Sequence, residues 1–313
     1  MLAIDTSRAV TSALGSSPVS RVWTRVRPGL RVVAYHRVSD PAAFARHLDL
    51  FESEFTPVGA DAVAQAVAGG TPLPRNAVWI TFDDGDPSVF RAAQPLLTAR
   101  SMPATAFICP SFVEEGCHPW WTTVRAAGAA GMGAELGGRS LAGADLALAL
   151  KTVPDPERRA IVGRFEAAGF GADDAPVTLA ELQSWQADGL DIGNHTWDHP
   201  CLDLCSPEEQ ASQITRAHEW LTANLGQPPA SFAYPNGDRS DWARDVALDL
   251  GYRLVLLFDH RMNRQGHPVG SGELSRLRLD SDAPVDQVRA VASGAHSDIF
   301  QLGRRLRSVA GRR

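Results

Sequence analysis

The chain has 313 residues, 44% hydrophobic and 21% charged, enough apolar content for a sizeable core in one large α/β unit or two smaller ones. A formal net charge of −6 excludes a uniformly basic nucleic-acid-binding surface. No run approaches the ~18 apolar residues of a membrane-spanning helix, and residues 1–20 lack a basic start followed by an apolar run, so a cytoplasmic protein is expected.

Residues 1–28 read as an N-terminal extension. Arg21, Arg25, Arg27 and Arg31 form a basic cluster near the start of the chain, and Arg304, Arg305, Arg307, Arg312 and Arg313 do the same for a tail over 291–313. Both clusters read as solvated termini; the sharper alternative is weak contact with an anionic membrane surface. Between them, short apolar runs alternate with helical patterns, which predicts parallel β/α construction over 29–290. The predicted strands are Arg31–Tyr35, Ala77–Phe82, Ala104–Cys109, Leu190–Asn194, Ser231–Tyr234 and Tyr252–Phe258. The predicted helices are Pro41–Glu54, Pro87–Arg100, Thr178–Asp188, the run after Ser206 to Leu225, and Asp241–Leu250. Proline suits a first helical turn at Pro87, Thr178 with Glu181 forms a capping-box pattern, and Gly226 and Gly251 supply C-terminal stops. Residues 126–176, rich in Ala and Gly, are predicted as a helical insertion.

Polar clusters follow four of the strands, at the face that carries the active site in β/α barrels. Thr81-Phe82-Asp83-Asp84-Gly85 puts two carboxylates at a strand end. Successive side chains alternate there, so one can hold a metal while the other stays free as a base. An ordinary Asp-Asp-Gly turn is the plain alternative. His195-Thr196-Trp197-Asp198-His199 offers two histidines at i and i+4, able to converge on one cation if the segment is helical or tightly turned. Two histidines and a carboxylate leave coordination positions open for water and substrate, as a hydrolytic metal site requires. Tyr234-Pro235-Asn236-Gly237 is an abrupt turn whose backbone N–H groups can stabilise an oxyanion. Tyr35-His36 adds a histidine at the same end of the sheet, a candidate proton donor. Cys109, Cys117, Cys201 and Cys205 read as free thiols rather than a zinc site, because Cys201 and Cys205 lack the C-x-x-C spacing and a second pair.

In this order, the clusters resemble those of the polysaccharide deacetylases of carbohydrate esterase family four, the NodB-like enzymes. The family's T-F-D-D is matched at Thr81–Asp84 and its H-[S/T]-x-x-H at His195–His199, while R-x-P-Y-G is matched only in part at Ala233–Gly237. Tyr35-His36 near the N-terminus, with no late L-x-H beyond a weak substitute at His260, is similar to the circularly permuted branch of poly-N-acetylglucosamine deacetylases. The resemblance implies a distorted (β/α)7 barrel and a hydrolase that removes N-acetyl groups from an N-acetylated sugar in a glycan or glycoside precursor. It implies a divalent metal on Asp84, His195 and His199, zinc first, with nickel, cobalt or manganese as alternatives. Asp83 is then the general base, His36 the general acid, and the Asn236 backbone an oxyanion donor. Trp120, Trp121, Trp197 and Tyr234 are expected to bind substrate. Ala233 stands where the family has an arginine, and Arg276 or Arg278 is expected to supply that charge. The alternatives are a deformylase or amidase of the same fold acting on another N-acyl group, and an inactive glycan-binding relative.

Overall fold

The computed structural model describes residues 15–171, 175–264 and 272–295. Its centre is a curled sheet of parallel strands: β1 (Gly29–Tyr35), β3 (Ala77–Phe82), β4 (Ala104–Ile108), β7 (Asp191–Asn194), β8 (Ser231–Ala233) and β9 (Leu254–Leu256), adjacent in that order. The short β2 (Thr56–Pro57) pairs with the start of β3. The outer sheet edges meet through one short segment. β11 (Glu273–Leu274) runs parallel to β9, and β12 (Leu277–Arg278), only three residues further on, runs parallel to β1 at Val33 and Ala34. β10 (Asn263–Arg264) lies antiparallel beside the start of β1. The segment from β11 to β12 thereby completes the barrel-like curl, and Arg276 lies within it.

Strand alternation sorts the core into an inner and an outer layer. Leu30, Val32, Ala77, Trp79, Phe107, Ala233, Leu254, Leu256 and Leu274 fill the inside of the curl. Val33, Tyr35, Val78, Ile80, Phe82, Ala106 and Ile108 face outward against helices, including Pro41–Glu54, Leu179–Ala187 and Val285–Ala292. Asp83 continues the inward series of Ala77, Trp79 and Thr81, which carries its carboxyl to the open end of the barrel. A second outer layer joins Phe232, Tyr234, Tyr252 and Val255 to helices Pro207–Leu225 and Asp241–Asp249.

The helix after Thr178 starts with the expected reciprocal cap, Thr178 bonding Glu181 and the reverse. The stretch predicted as helix over Pro87–Arg100 is instead a π-helical turn, Val89–Ala93, running into the α-helix Gln94–Thr98. Pro95 has no N–H for a helical ladder, and a wider turn just before it accommodates the loss.

The insertion begins at Trp120 and is not wholly helical. Helix Trp120–Ala129 is followed by the antiparallel hairpin β5 (Gly133–Leu136) and β6 (Arg139–Ala142), then helices Gly143–Ala149 and Asp155–Ala167. Gly137 and Gly138, both at positive φ (57° and 73°), make the two-residue turn that pairs these strands. The insertion has its own apolar core of Trp120, Val124, Leu146, Leu150, Ile161 and Phe165.

Arg31 is not part of a solvated terminus. It is fully buried and donates to the carbonyls of Arg27, Gly29, Arg75 and Ala292, tying the N-terminal segment and the last helix to β1. That last helix, Val285–Ala292, runs past residue 290, where the sequence reading ends the domain, because Val288, Val291 and Ala292 pack into the outer core. Arg304, Arg305, Arg307, Arg312 and Arg313 lie outside the described residues. Among the described residues no helix is long and apolar enough to cross a membrane.

Candidate active site

Asp84, His195 and His199 converge at the C-terminal ends of β3 and β7. His195 Nε2 and His199 Nε2 lie 3.4 and 3.3 Å from Asp84 Oδ1. One donor atom from each residue lies within 4.8 Å of the others, and among the described residues this is the one such group. The loops that carry them are tightly turned rather than helical. Asp84 (φ 72°), Thr196 (φ 70°) and His199 (φ 60°) all take the left-handed backbone region, which costs a non-glycine residue about 1–3 kcal/mol where it is held in place.

The surroundings hold it in place. Asn194 Oδ1 accepts the Thr196 N–H at 2.7 Å, while its Nδ2 donates to Ile214 O and Tyr252 Oη. Thr196 Oγ1 accepts the His199 N–H at 3.2 Å. Gln213 Oε1 accepts both the Trp197 and Asp198 N–H groups. His195 Nδ1 lies 2.8 Å from the Ala233 carbonyl, which can only accept, so Nδ1 carries a proton and the ring is held with Nε2 facing Asp84. Cys109 Sγ donates to the His195 carbonyl at 3.2 Å.

These residues fit a divalent cation. Asp84 Oδ1 is buried and accepts no aligned hydrogen bond within the described structure, though two imidazole nitrogens stand within 3.4 Å of it. A buried carboxylate oxygen facing two imidazoles without a shared proton is the donor set a zinc-type ion takes. The charge states agree. Burial opposes ionisation of Asp84, but the two close histidines and the field of His36 outweigh it and hold the carboxyl well below its ordinary value. Burial pushes the His199 imidazole down, toward the neutral form that ligates a metal.

Asp83 stands next to this group, 3% exposed, with Oδ1 2.6 Å from Arg276 Nη1. Arg276 is fully buried; its Nε donates to the Leu257 carbonyl and its guanidinium lies between the rings of Phe107 and Phe258. Burial opposes the Asp83 charge, but Arg276, then His195 and His36, outweigh it and hold the carboxyl below its ordinary value. Arg278 is exposed and turned to Asp280. The half-buried His36 packs edge-on against Phe258 at 5.6 Å, close enough to both carboxylates for its charge to act on them. Asn236, at φ 56°, forms the turn after β8, and its side-chain oxygen meets Lys151 Nζ of the insertion at 2.5 Å. The next residue must be glycine: a Cβ on Gly237 would meet Phe258 Cβ at 2.2 Å.

The residues expected to contact substrate are divided by the fold. Trp121 is half-buried with its ring 4.6 Å from that of His199, beside the Asp84, His195 and His199 group. Trp120 is buried beneath it and donates Nε1–H to the His199 carbonyl, so it has no free face for a sugar. Trp197 is buried, with the Arg216 guanidinium 3.5 Å above its ring. Tyr234 points outward, because it follows inward-facing Ala233, and is fully buried against Phe232. Arg276 contacts Asp83 and is fully buried, so it presents no surface to a substrate. Asn194, Gln213 and Cys109, which the sequence did not single out, also shape the His195–His199 loop. Asn194 bonds Thr196 two residues on, a local Asx signal next to the His motif, whereas Gln213 and Cys109 reach the loop from distant segments and leave no local signal.

A curled parallel sheet with this cluster at the C-terminal ends of its strands defines a barrel of the carbohydrate-deacetylase type. The sequence profile described as polysaccharide deacetylase matches residues 70–255, more than half of the chain, and the chain belongs to that family. It is 34% identical over 98 residues to the poly-beta-1,6-N-acetyl-D-glucosamine N-deacetylase of Escherichia coli strain K12, covering 28% of this chain and 15% of that protein. It is 32% identical over 75 residues to chitin deacetylase 1 of Cryptococcus neoformans var. grubii, covering 24% of this chain and 16% of that protein. The matches therefore span about a sixth of each relative. Among solved structures, IcaB from Ammonifex degensii superposes with TM-score 0.57 at 23% identity over 85% of this chain and 97% of that one. The Streptococcus pyogenes deacetylase PplD, in complex with acetate, gives TM-score 0.58 at 18% identity over 84% and 96%. These likenesses establish the shared fold.

Proposed function

We propose that the chain is a zinc-dependent N-deacetylase that hydrolyses the N-acetyl group of an N-acetylated glucosamine unit in a glycan or glycoside precursor. The observation that carries this reading is the pairing of two groups at one barrel mouth: the Asp84, His195 and His199 donor set, and the Arg276-held carboxylate of Asp83 beside it. Family membership and the names of the two curated relatives support N-acetylglucosamine as the substrate unit.

A divalent cation bound by Asp84, His195 and His199 supplies polarisation of an acyl carbonyl and acidification of a water molecule. Asp83, kept ionised by Arg276, accepts a proton from the attacking water. The water oxygen bonds to the acyl carbon, and the backbone N–H of Asn236 is offered to the oxygen that gains charge. His36 gives a proton to the sugar nitrogen as the C–N bond breaks, so acetate and a free amine leave. Trp121 offers its half-exposed ring to the sugar.

Acetate release from N-acetylglucosamine oligomers, assayed on metal-reconstituted protein, tests the proposal. Acetate in stoichiometry with new free amine is expected. Protein that binds zinc yet releases no acetate from any N-acetylated glycoside would contradict it.

A further inference from the structure

The insertion contacts the metal-ligand loop at two points that the chemistry above does not use. Trp120 Nε1 donates to the backbone carbonyl of His199 at 3.2 Å. Arg159, on helix Asp155–Ala167, grips Asp198, the residue just before His199, with Nη1 2.6 Å from Oδ2 and Nη2 3.1 Å from Oδ1. Such a two-point guanidinium–carboxylate fork fixes orientation as well as distance. The fork is braced from behind. Arg159 Nε meets Oδ2 of Asp155, which is 4% exposed, and the other oxygen of Asp155 pairs with buried Arg158. The Arg158 guanidinium in turn lies 5.1 Å from the centre of the Trp120 ring. Arg159, Asp155, Arg158 and Trp120 thus form one connected frame whose two ends hold Asp198 and His199. Gln213 holds the same loop from the opposite side, with Nε2 3.0 Å from Asp198 Oδ1.

The loop needs such support, since Thr196 and His199 sit at positive φ, a conformation that persists only when neighbours enforce it. His199 also has no hydrogen-bond partner for Nδ1 within the described structure, so its ring is not oriented in the way His195 is by Ala233. Its orientation must come from its backbone and from ring packing.

We propose that Trp120 and Arg159 are positioning residues that hold His199 in its ligating geometry, so that the insertion sets the metal affinity of the site. This rests on the metal reading of Asp84, His195 and His199. An insertion that merely covers the loop would add stability and leave metal affinity unchanged.

Zinc titration of stripped full-length protein separates these roles, with thermal melting run alongside. Parent protein that binds no zinc would overturn the metal reading itself. With a parent that binds, Arg159→Ala and Trp120→Phe should each weaken zinc roughly tenfold to a hundredfold, the range for residues that orient metal ligands. Arg164→Ala, which removes an exposed charge from the same helix, should bind as the parent does. Asp198→Asn should weaken zinc, and the Arg159→Ala/Asp198→Asn double variant should be no weaker than the worse single one, because both break one contact. Unchanged zinc affinity in Arg159→Ala and Asp198→Asn, or additive losses in the double variant, would overturn the proposal. Arg159 is half-exposed, so its removal leaves the core intact, and Trp120→Phe keeps most of the buried ring.

Discussion

Arg276 and Asp83, 193 residues apart in sequence, meet at 2.6 Å in a buried ion pair at the mouth of the barrel. The contact exists because the segment from β11 to β12 spans the two edges of the sheet and delivers a guanidinium beside the end of β3. Removing one member of a buried pair leaves the other charge uncompensated, at a cost of about 3–5 kcal/mol. Arg276→Met should therefore lower stability by about that amount in denaturant unfolding. Adding Asp83→Asn, which removes the stranded charge, should restore part of the loss; a double variant less stable than Arg276→Met would refute this account of the pair.

Asp83→Asn on its own keeps the shape of the carboxyl but not its basicity. General-base catalysis contributes about 10²–10⁴-fold. Acetate release should fall by that factor, while metal content measured by elemental analysis stays at the parent level. Parent-level turnover in this variant would move the base to another residue.

Trp121 is the one tryptophan of the three considered that keeps an accessible ring beside His199. Aromatic stacking is worth about 0.5–1.5 kcal/mol beyond area burial. Trp121→Ala should raise KM for an N-acetylglucosamine oligomer a few-fold to about tenfold, and Trp197→Phe, at a ring already covered by Arg216, should leave KM unchanged. Equal KM in parent and Trp121→Ala would remove Trp121 from the substrate site.

His47 links the wall behind the site to pH. It is fully buried; Nε2 meets the Ala283 carbonyl at 2.7 Å and so carries the proton, and Nδ1 accepts from Tyr35 Oη at 3.2 Å. Burial, the largest influence, lowers its pKa below the ordinary value of 6.5. Above that value the ring is neutral in both folded and unfolded chains, and stability is insensitive to it. As pH falls below it, the unfolded chain takes up the proton first, so stability declines until the folded pKa is passed and then levels off. His47→Gln should flatten the stability-versus-pH curve over that window relative to the parent, measured by urea unfolding at several pH values. Parallel curves for the two proteins would contradict this.

Much of the site was readable because its residues cluster locally. Asp83 with Asp84, and His195 with His199, lie in short motifs after apolar strands, and the alternation that turns Asp83 inward follows from strand geometry alone. The predicted strands match the sheet to within a residue or two at their ends, with β9 two residues shorter than expected at each end. What escaped was set by long-range packing. The i,i+4 spacing of His195 and His199 suits a helix as well as a turn, and the turn is set by bonds to Asn194 and Gln213 and by the contacts of Arg159 and Trp120. Trp120, Trp197 and Tyr234 look like sugar platforms in sequence, but the helices and Arg216 that cover them come from elsewhere. The hairpin of β5 and β6 had a local signal, Gly137-Gly138, overshadowed by the alanine-rich helices on either side.

The most direct test of the central claim is zinc add-back to chelator-stripped protein, reading acetate release from an N-acetylglucosamine oligomer in the parent and in Asp84→Asn. The stripped parent should be inactive and regain full activity at one zinc per chain, while Asp84→Asn should stay inactive at the same zinc concentration. Full activity in the stripped parent, or parent-like activation of Asp84→Asn, would contradict it.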